Sequence, residues 1–361
     1  VTILFLNSAK SWGGNERWML QAARKLNEDH TVLLAYRNEV IGDRFSIPKF
    51  KFPFVSEADV YTLSQLIKLI HRHHIDVLIP TKRKDYVLAG LSARMTGRVN
   101  VLRLGIARKP EPGFFHRFVY SFLADGIIVN ANSIRTELIE IPYMNPDQIR
   151  VIYNGIFYNE VENLAAQSGP DLPEFSFRVV SVGELSPRKG HDLAIRGFAE
   201  FINQHSWPDL KPGLIIIGGG PDEKRLKTLA TELGIQNQVV LTGFVKNPYP
   251  IVAASDVFLM TSASEGISNA LLEAMVLKVP AITTSGAGGA EEFMIQGETG
   301  WLIGNDIEND TARFLIEAYL NPELRKRIAD RAREDVIARF DSDRMKLEIV
   351  EFLKFLISRH K

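Results

Sequence analysis

The chain contains no cysteine. Disulfides and thiolate metal sites are thereby excluded, which fits a reducing compartment. Excess charge is also missing: 43 Lys+Arg balance 43 Asp+Glu, for a formal net charge of zero. Such a balance leaves no bulk electrostatic footprint for nucleic acid, and none is expected as a partner. No apolar run approaches the roughly 18–20 residues that span a bilayer. The opening Val1-Thr2-Ile3-Leu4-Phe5-Leu6 reads as a short strand, without the basic n-region, long apolar core or small-residue cleavage site of a signal peptide. The expected location is cytoplasmic, with peripheral contact at the inner face of a membrane as an open alternative. Internal repeats and low-complexity tracts are absent as well.

What is present is an ordinary globular composition, 45% hydrophobic and 24% charged, over 361 residues. That length favours two domains. Short apolar strand candidates recur with helical patterns between them. In the first half they are 2–6, 31–36, 76–80, 99–104, 127–130 and 150–152; in the second, 178–182, 214–218, 239–242, 257–260, 280–283 and 301–303. Alternating β and α elements predict parallel sheets with helices on both faces. The expected fold class is α/β, with two Rossmann-like doubly wound domains. The boundary is expected within 154–176, where Asn154-Gly155 and Gln167-Ser168-Gly169-Pro170-Asp171-Leu172-Pro173 are rich in turn formers. The domains are therefore expected at 1–165 and 175–341, followed by one long amphipathic pattern at about 342–359.

The most informative stretch is Ser264-Glu265-Gly266-Ile267-Ser268-Asn269-Ala270-Leu271-Leu272-Glu273-Ala274-Met275. Apolar strands flank it, so its turn and helix start are exposed at the carboxyl edge of a parallel sheet, where such folds bind ligands. Free N–H groups there attract phosphate. Glu265 falls in the turn and Glu273 inside the helix. Carboxylates on both sides of an anion site suit a ligand with hydroxyls on both sides of a phosphate, as in a sugar nucleotide. The plain alternative is a pair of acids that stabilise a helix start.

Other elements repeat the theme. Gly13-Gly14-Asn15-Glu16 follows the first strand, where paired glycines allow close approach to a phosphate. A tight turn with a dipole-complementing acid explains it equally well. Gly183-Glu184-Leu185-Ser186-Pro187-Arg188-Lys189-Gly190 puts two cations at a loop tip. They suit a developing diphosphate, and a solvated basic pair is the common alternative. Leu214-Ile215-Ile216-Ile217-Gly218-Gly219-Gly220-Pro221 lacks G-x-G-x-x-G and reads first as a tight turn after a buried strand. Gly286-Ala287-Gly288-Gly289-Ala290-Glu291-Glu292 reads as a further turn ending in acids.

In this order the elements resemble retaining glycosyltransferases of glycosyltransferase family 4 (group 1). Glu265 to Glu273 matches the family's E-x7-E element. Lys246-Asn247-Pro248-Tyr249-Pro250, Ala254-Ser255-Asp256-Val257 and Gly297-Glu298-Thr299-Gly300-Trp301-Leu302 extend the match. The Asn-Pro-Tyr-Pro form resembles bacterial enzymes that build lipid-linked oligosaccharides, lipopolysaccharide and surface polysaccharides. The resemblance implies the GT-B fold, with two domains facing across a cleft, a donor-binding second domain, an acceptor-binding first domain and a final helix 342–361 packing back on the first. It places the donor near Gly13, Gly14, Gly183, Arg188, Lys189, Gly218, Val245, Glu265, Gly266, Ile267, Ser268, Asn269 and Glu273. It places the acceptor near Asn15 and Glu16. Glu273 would hold the ribose and Glu265 the donor sugar, while Arg188, Lys189 and the Gly266–Asn269 amides would stabilise the leaving diphosphate. Glu292 matches the glutamate of the family's Gly-Gly-x-x-Glu element. No metal and no cofactor are implied, since the nucleotide sugar is a substrate; a UDP-sugar is favoured and a GDP-sugar comes next.

Two departures stand out. Where the family usually has Arg after the first glycine, this chain has Glu184. Where the family commonly has a first-domain His, the strand reads Val101-Leu102-Arg103-Leu104-Gly105, so Arg103 is the nearest candidate for an electrostatic catalytic role. These departures keep a non-catalytic sugar-nucleotide-binding protein as an alternative; a sugar-nucleotide epimerase is the other, disfavoured by the E-x7-E context. Residues 1–160 carry 21 Lys+Arg against 15 Asp+Glu, including Lys82-Arg83-Lys84, Arg94, Arg98, Arg108, Lys109 and Arg117. A solvated face explains this excess, and an anionic acceptor or membrane surface is the sharper reading. The aromatics of Phe114-Phe115-His116-Arg117-Phe118-Val119-Tyr120 are expected mostly in the core.

Overall fold

A computed structural model describes residues 1–105, 113–204, 211–263, 266–285 and 289–360. The chain divides into two compact units: residues 1–155 together with 342–361, and residues 156–341. The first unit holds β1 (Thr2–Asn7), β2 (Thr31–Tyr36), β3 (Lys49–Lys51), β4 (Val77–Pro80), β5 (Val99–Leu104), β6 (Gly126–Val129) and β7 (Ile149–Val151). The second holds β8 (Phe177–Val182), β9 (Pro212–Ile217), β10 (Val239–Gly243), β11 (Val257–Met260), β12 (Ala281–Thr284) and β13 (Trp301–Ile303). The sheet orders are β3-β2-β1-β4-β5-β6-β7 and β10-β9-β8-β11-β12-β13. Every pairing between these strands is parallel. In each sheet the order reverses beside the first strand, at β1/β4 and at β8/β11. Ligands of doubly wound sheets bind outside the carboxyl ends at such a point.

Strands buried on both faces explain the near-continuous apolar runs. In β1, Ile3 and Phe5 pack with Trp18 and Met19 of helix Gly14–Leu26 and with the last helix. Leu4 and Leu6 face the opposite core, with Leu66 of helix Val60–His73 and Leu88 of helix Arg83–Thr96. Asp59 caps Val60–His73 by accepting from Thr62 N at 2.9 Å. His74 ends that helix at φ 49.

The expected strand segments all appear, and β3 is an addition. It is a three-residue edge strand with two exposed lysines, too short and too polar to show a period-two apolar pattern. Helix Tyr158–Ala165, expected with the first domain, packs within the second unit. Its Leu164 carbonyl accepts from Asn247 Nδ2 at 2.9 Å, and Glu162 pairs with Arg333. The turn-rich 167–173 stretch therefore lies inside a unit, because tertiary partners decide where a helix belongs. The last helix, Ser342–His360, buries Met345, Ile349, Phe352, Leu353 and Leu356 in the first unit's core. Gly126 permits that approach: a Cβ there would sit 2.5 Å from Leu356 Cδ1. Lys25–Asp343 at 2.8 Å and Lys346–Glu28 at 3.0 Å add surface pairs. Among the described residues no helix is long and apolar enough to cross a membrane.

In the second unit, helices His191–Asn203 and Ile307–Leu320 meet at Gly197, where an added Cβ would fall 2.6 Å from Thr311 Cβ. Gly→Ala within a helix ordinarily stabilises by about 1 kcal/mol. Here overpacking, about 1–3 kcal/mol, outweighs that gain. Gly197→Ala should therefore lower the chemical-denaturation midpoint; a raised midpoint would show that these helices can part at little cost.

Candidate functional site

Loops after β8, β9, β11 and β12 gather at the carboxyl edge of the second sheet. After β8 the chain runs through Gly183–Ser186 and a 3-10 turn, Pro187–Lys189, into helix His191–Asn203. The turn is bound to the segment after β11: Ala263 N donates to the Arg188 carbonyl at 2.9 Å, and Thr261 Oγ1 to the Gly190 carbonyl at 2.7 Å. Lys189 folds back over Gly183, with its Cδ 3.3 Å from where a Gly183 Cβ would be. Arg188 and Lys189 are both half-buried, whereas Glu184 is exposed. His191 is held neutral at pH 7: burial and then the nearby Lys189 charge bring it down to about 4.

After β9, Gly218 has φ 150, and a Cβ would fall 1.8 Å from the Gly183 carbonyl oxygen. Leu185 N donates to the Gly219 carbonyl at 3.0 Å. Gly218 thus seats one loop on the next through backbone alone. Val245, beyond β10, is half-buried. Its neighbour Phe244 is 75% exposed and lies over Gly219, whose added Cβ would be 4.0 Å from Phe244 Cβ. Sequence reading missed Phe244; its signal was an aromatic directly after a strand-ending glycine.

After β11, Thr261 and Ser262 are buried. Ser264 and Glu265 lie outside the described residues, as do Gly286, Ala287 and Gly288. Gly266, Ile267 and Ser268 are buried and lead into helix Asn269–Val276, whose N-cap Ser268 makes no side-chain cap. The amino end of a helix in this place is where such folds receive anions. Glu273 sits in the same helix, 5% exposed. Gly289 closes on this turn from the β12 side: a Cβ there would be 2.4 Å from Ile267 Cγ1. The Glu292 carbonyl accepts from Arg339 Nη2 at 2.8 Å.

The first unit has its own cluster, after β1, β4 and β5. Gly13 is extended and opens helix Gly14–Leu26 without a side-chain cap. Gly14 has open space where a Cβ would be. Asn15 Nδ2 donates to the Thr81 carbonyl at 3.2 Å. Glu16 is 2% exposed, accepts from Asn7 Nδ2 at 3.0 Å and pairs with Lys82 at 2.7 Å through the same oxygen. Its place is inside the loop's framework rather than at its surface.

Arg103 is 1% exposed, with its guanidinium 4.4 Å from the Trp18 ring centroid and Nη2 donating to Asn154 Oδ1 at 3.3 Å. Its Nε and Nη1 are buried without hydrogen-bond partners among the described residues. A Cβ at Gly105 would lie 3.1 Å from Nη1 and 2.3 Å from Asn15 Oδ1, so Asn15 and Arg103 border one spot. Burial pushes Arg103 down to about 9, still cationic at pH 7.

Asp85, also missed in the sequence, is wholly buried and accepts from Ser8 N at 2.9 Å. Burial raises it to about 7, against the hydrogen bonds from Ser8. The folded state therefore holds a proton on Asp85 that the unfolded chain releases near pH 4. Its stabilising contribution is full below that value and is lost as pH rises through 7. The span is worth up to about 4 kcal/mol. Asp85→Asn should flatten this fall, raising the melting temperature relative to the parent at pH 8 but not at pH 4. Parallel pH profiles would refute the assignment.

Comparison with known proteins matches these two units to two family models. Residues 12–158 match Glycosyltransferase Family 4, and residues 167–335 match Glycosyl transferases group 1. An N-acetylgalactosamine-N,N'-diacetylbacillosaminyl-diphospho-undecaprenol 4-alpha-N-acetylgalactosaminyltransferase of Campylobacter jejuni is 29% identical over 282 residues, 75% of this chain and 74% of that protein. An N-acetyl-alpha-D-glucosaminyl L-malate synthase of Bacillus anthracis is 25% identical over 324 residues, 86% and 81% of the two chains. Among solved structures, Anabaena HepE in complex with UDP superposes with TM-score 0.82 at 22% identity, covering 98% of this chain and 100% of that one. A Rickettsia africae glycosyltransferase gives 0.85 at 19% identity, covering 99% and 98%. With both units matched in order and the fold shared along the whole chain, this protein belongs to the GT-B glycosyltransferases of group 1, family 4.

Proposed function

We propose that the chain moves a sugar, with retention of anomeric configuration, from a nucleotide-sugar donor to a hydroxyl of a glycan or lipid-linked acceptor. The observation that carries this reading is the convergence in the second unit. Helix Asn269–Val276 carries the buried Glu273 and follows a segment whose Ala263 N and Thr261 Oγ1 are tied to the Arg188 and Gly190 carbonyls, next to Lys189 in the chain. In the proposed step the bond between the sugar's anomeric carbon and the diphosphate oxygen breaks, and its electron pair leaves with the diphosphate. Arg188, Lys189 and the amides of Gly266–Asn269 stabilise that charge. The acceptor hydroxyl attacks from the face being vacated, and its proton passes to the departing phosphate oxygen. Glu273 holds the ribose and Glu265 the sugar. Arg103, a buried cation in the first unit, serves electrostatically where relatives commonly have His. Asn15, beside it, belongs to the acceptor side; Glu16 positions that loop.

A UDP-sugar is the favoured donor and a GDP-sugar the next. Solved structures of Anabaena HepE with UDP and with UDP-glucose support that order. The diphospho-undecaprenol in the name of the Campylobacter relative supports a lipid-linked acceptor. The leaving charge is assigned to protein cations and amides, and no essential metal is proposed; transfer should persist in EDTA. A thermal-shift panel of UDP-, GDP- and ADP-sugars, followed by transfer assays with the hit, tests the whole reading. Binding without transfer or hydrolysis would favour the non-catalytic alternative, which the exposed Glu184 in the diphosphate loop supports.

Lys189→Ala should weaken UDP binding by about 1.5–3 kcal/mol, the cost of a lost charge-assisted contact. Uridine affinity should barely change. Equal losses for UDP and uridine would reject the diphosphate role.

The two glutamates should fail differently. Glu273→Gln should impair binding of bare UDP, while Glu265→Gln should leave it nearly intact and depress kcat. If both acids only support a helix start, each is worth about 0.3–1 kcal/mol through the dipole. Both variants would then melt earlier with no selective ligand defect. Titration calorimetry and steady-state transfer separate these outcomes.

A further inference from the structure

The segment 114–122 is amphipathic with its aromatic side turned outward. It consists of a one-turn helix, Phe114–Arg117, running into a π-helical turn, Phe118–Phe122. Val119 and the following Leu123 are buried, and Tyr120 packs on Tyr86 with ring centroids 6.1 Å apart. On the other side Phe114 is 87% exposed, Phe122 58% and Phe115 48%. The half-buried Phe118 stacks on Phe122 with ring centroids 5.4 Å apart. Arg94 joins helix Arg83–Thr96 to this segment. Its Nε donates to the Phe122 carbonyl at 2.8 Å, and its guanidinium lies 5.4 Å from the Phe122 ring centroid. Met95, the next residue, is 66% exposed. The core expectation for these aromatics is thus corrected for three of them: Val119 and Leu123 are buried, Tyr120 packs inward, and Phe114, Phe115 and Phe122 are left exposed.

Among the described residues, exposed cations predominate around these rings. Arg94 and Arg117 are exposed beside them, and exposed Arg83 meets His116 at 2.7 Å. Residues 114–122 contain no Asp or Glu, and the acid of helix Arg83–Thr96, Asp85, is 0% exposed. Asp125, nearby, is engaged by Arg94 at 3.0 Å.

We propose that this face docks on an anionic lipid bilayer, the phenylalanines entering the interface and the arginines pairing with headgroup phosphates. Exposed aromatic and aliphatic side chains with a cationic fringe carry the two terms of interfacial binding, apolar burial and attraction to anionic lipid. A second copy of the chain fits worse. A twofold contact places the same patch on both sides, so a patch fringed by cations would be brought against another cationic patch rather than against anions. The elements of this face hold none of the donor or acceptor residues assigned above, so either reading stands if the other fails.

Cosedimentation with vesicles tests the proposal. The parent protein should partition onto phosphatidylglycerol/phosphatidylethanolamine vesicles about tenfold more strongly than onto phosphatidylcholine vesicles. The Phe114→Ser/Phe115→Ser/Phe122→Ser variant should lose that binding by about tenfold or more, with an unchanged melting temperature expected for exposed sites. A Phe114→Trp variant should add blue-shifted fluorescence on anionic vesicles, quenched by brominated acyl chains. The proposal is overturned if the parent ignores anionic vesicles, or if the triple variant binds as the parent does. Fluorescence unchanged by vesicles would overturn it too, as would concentration-dependent self-association that the triple variant abolishes.

Discussion

Gly190 has φ 63 and faces the Thr261 carbonyl so closely that a Cβ would lie 2.0 Å from that oxygen. The same constraint recurs at Gly218 against the Gly183 carbonyl, and at Gly220, where a Cβ would fall 2.4 Å from the Leu185 carbonyl oxygen. These loops follow neighbouring strands of one parallel sheet, so their spacing is fixed by strand spacing, about 4.8 Å. At that distance side chains do not fit between them. Backbone against backbone is the packing left, and it demands glycine. The rest of the second unit's site depends on this arrangement. It sets the Pro187–Lys189 turn beside the segment after β11, through the Ala263–Arg188 and Thr261–Gly190 hydrogen bonds.

The first unit solves a different problem with charge. Arg103, Asp85 and Glu16 are all buried at the carboxyl edge of its sheet. Glu16 is compensated by Lys82 and Asn7. Asp85 is eased by a proton, its value raised to about 7. Arg103 has an aromatic ring and an amide, and two nitrogens without partners among the described residues. Buried polar groups are normally satisfied, and exceptions concentrate where function requires them. Among the described residues no carboxylate pairs with Arg103, so its charge is held by the Trp18 ring and Asn154 alone.

Patterning and tertiary structure divide the credit by range. Strand positions were legible because β1 and its neighbours are buried on both faces, leaving apolar runs that need no partner to be recognised. Motif glycines were legible as punctuation, though their reasons were not. Gly218 reads as a tight turn in the sequence; only the fold shows the Gly183 carbonyl occupying the place of its side chain. The edge strand β3 was invisible because three residues with outward lysines carry no period.

Local sequence by itself determined the α/β alternation, the family's ordered elements and which residues carry charge or conformational freedom. These are properties of short windows, where periodicity and residue chemistry act within a few positions. Tertiary structure alone decided that helix Tyr158–Ala165 joins the second unit and that Glu16 is buried under Lys82. It also decided that Asp85 is buried, which raises its pKa to about 7, and that Phe114, Phe115 and Phe122 face outward. Each of those depends on what distant segments place around it: Asn247 for the helix, the packing that buries Asp85, Tyr86 for the inner side of the aromatic segment. Burial is a property of the contact, and a chain read residue by residue carries only one of its two sides.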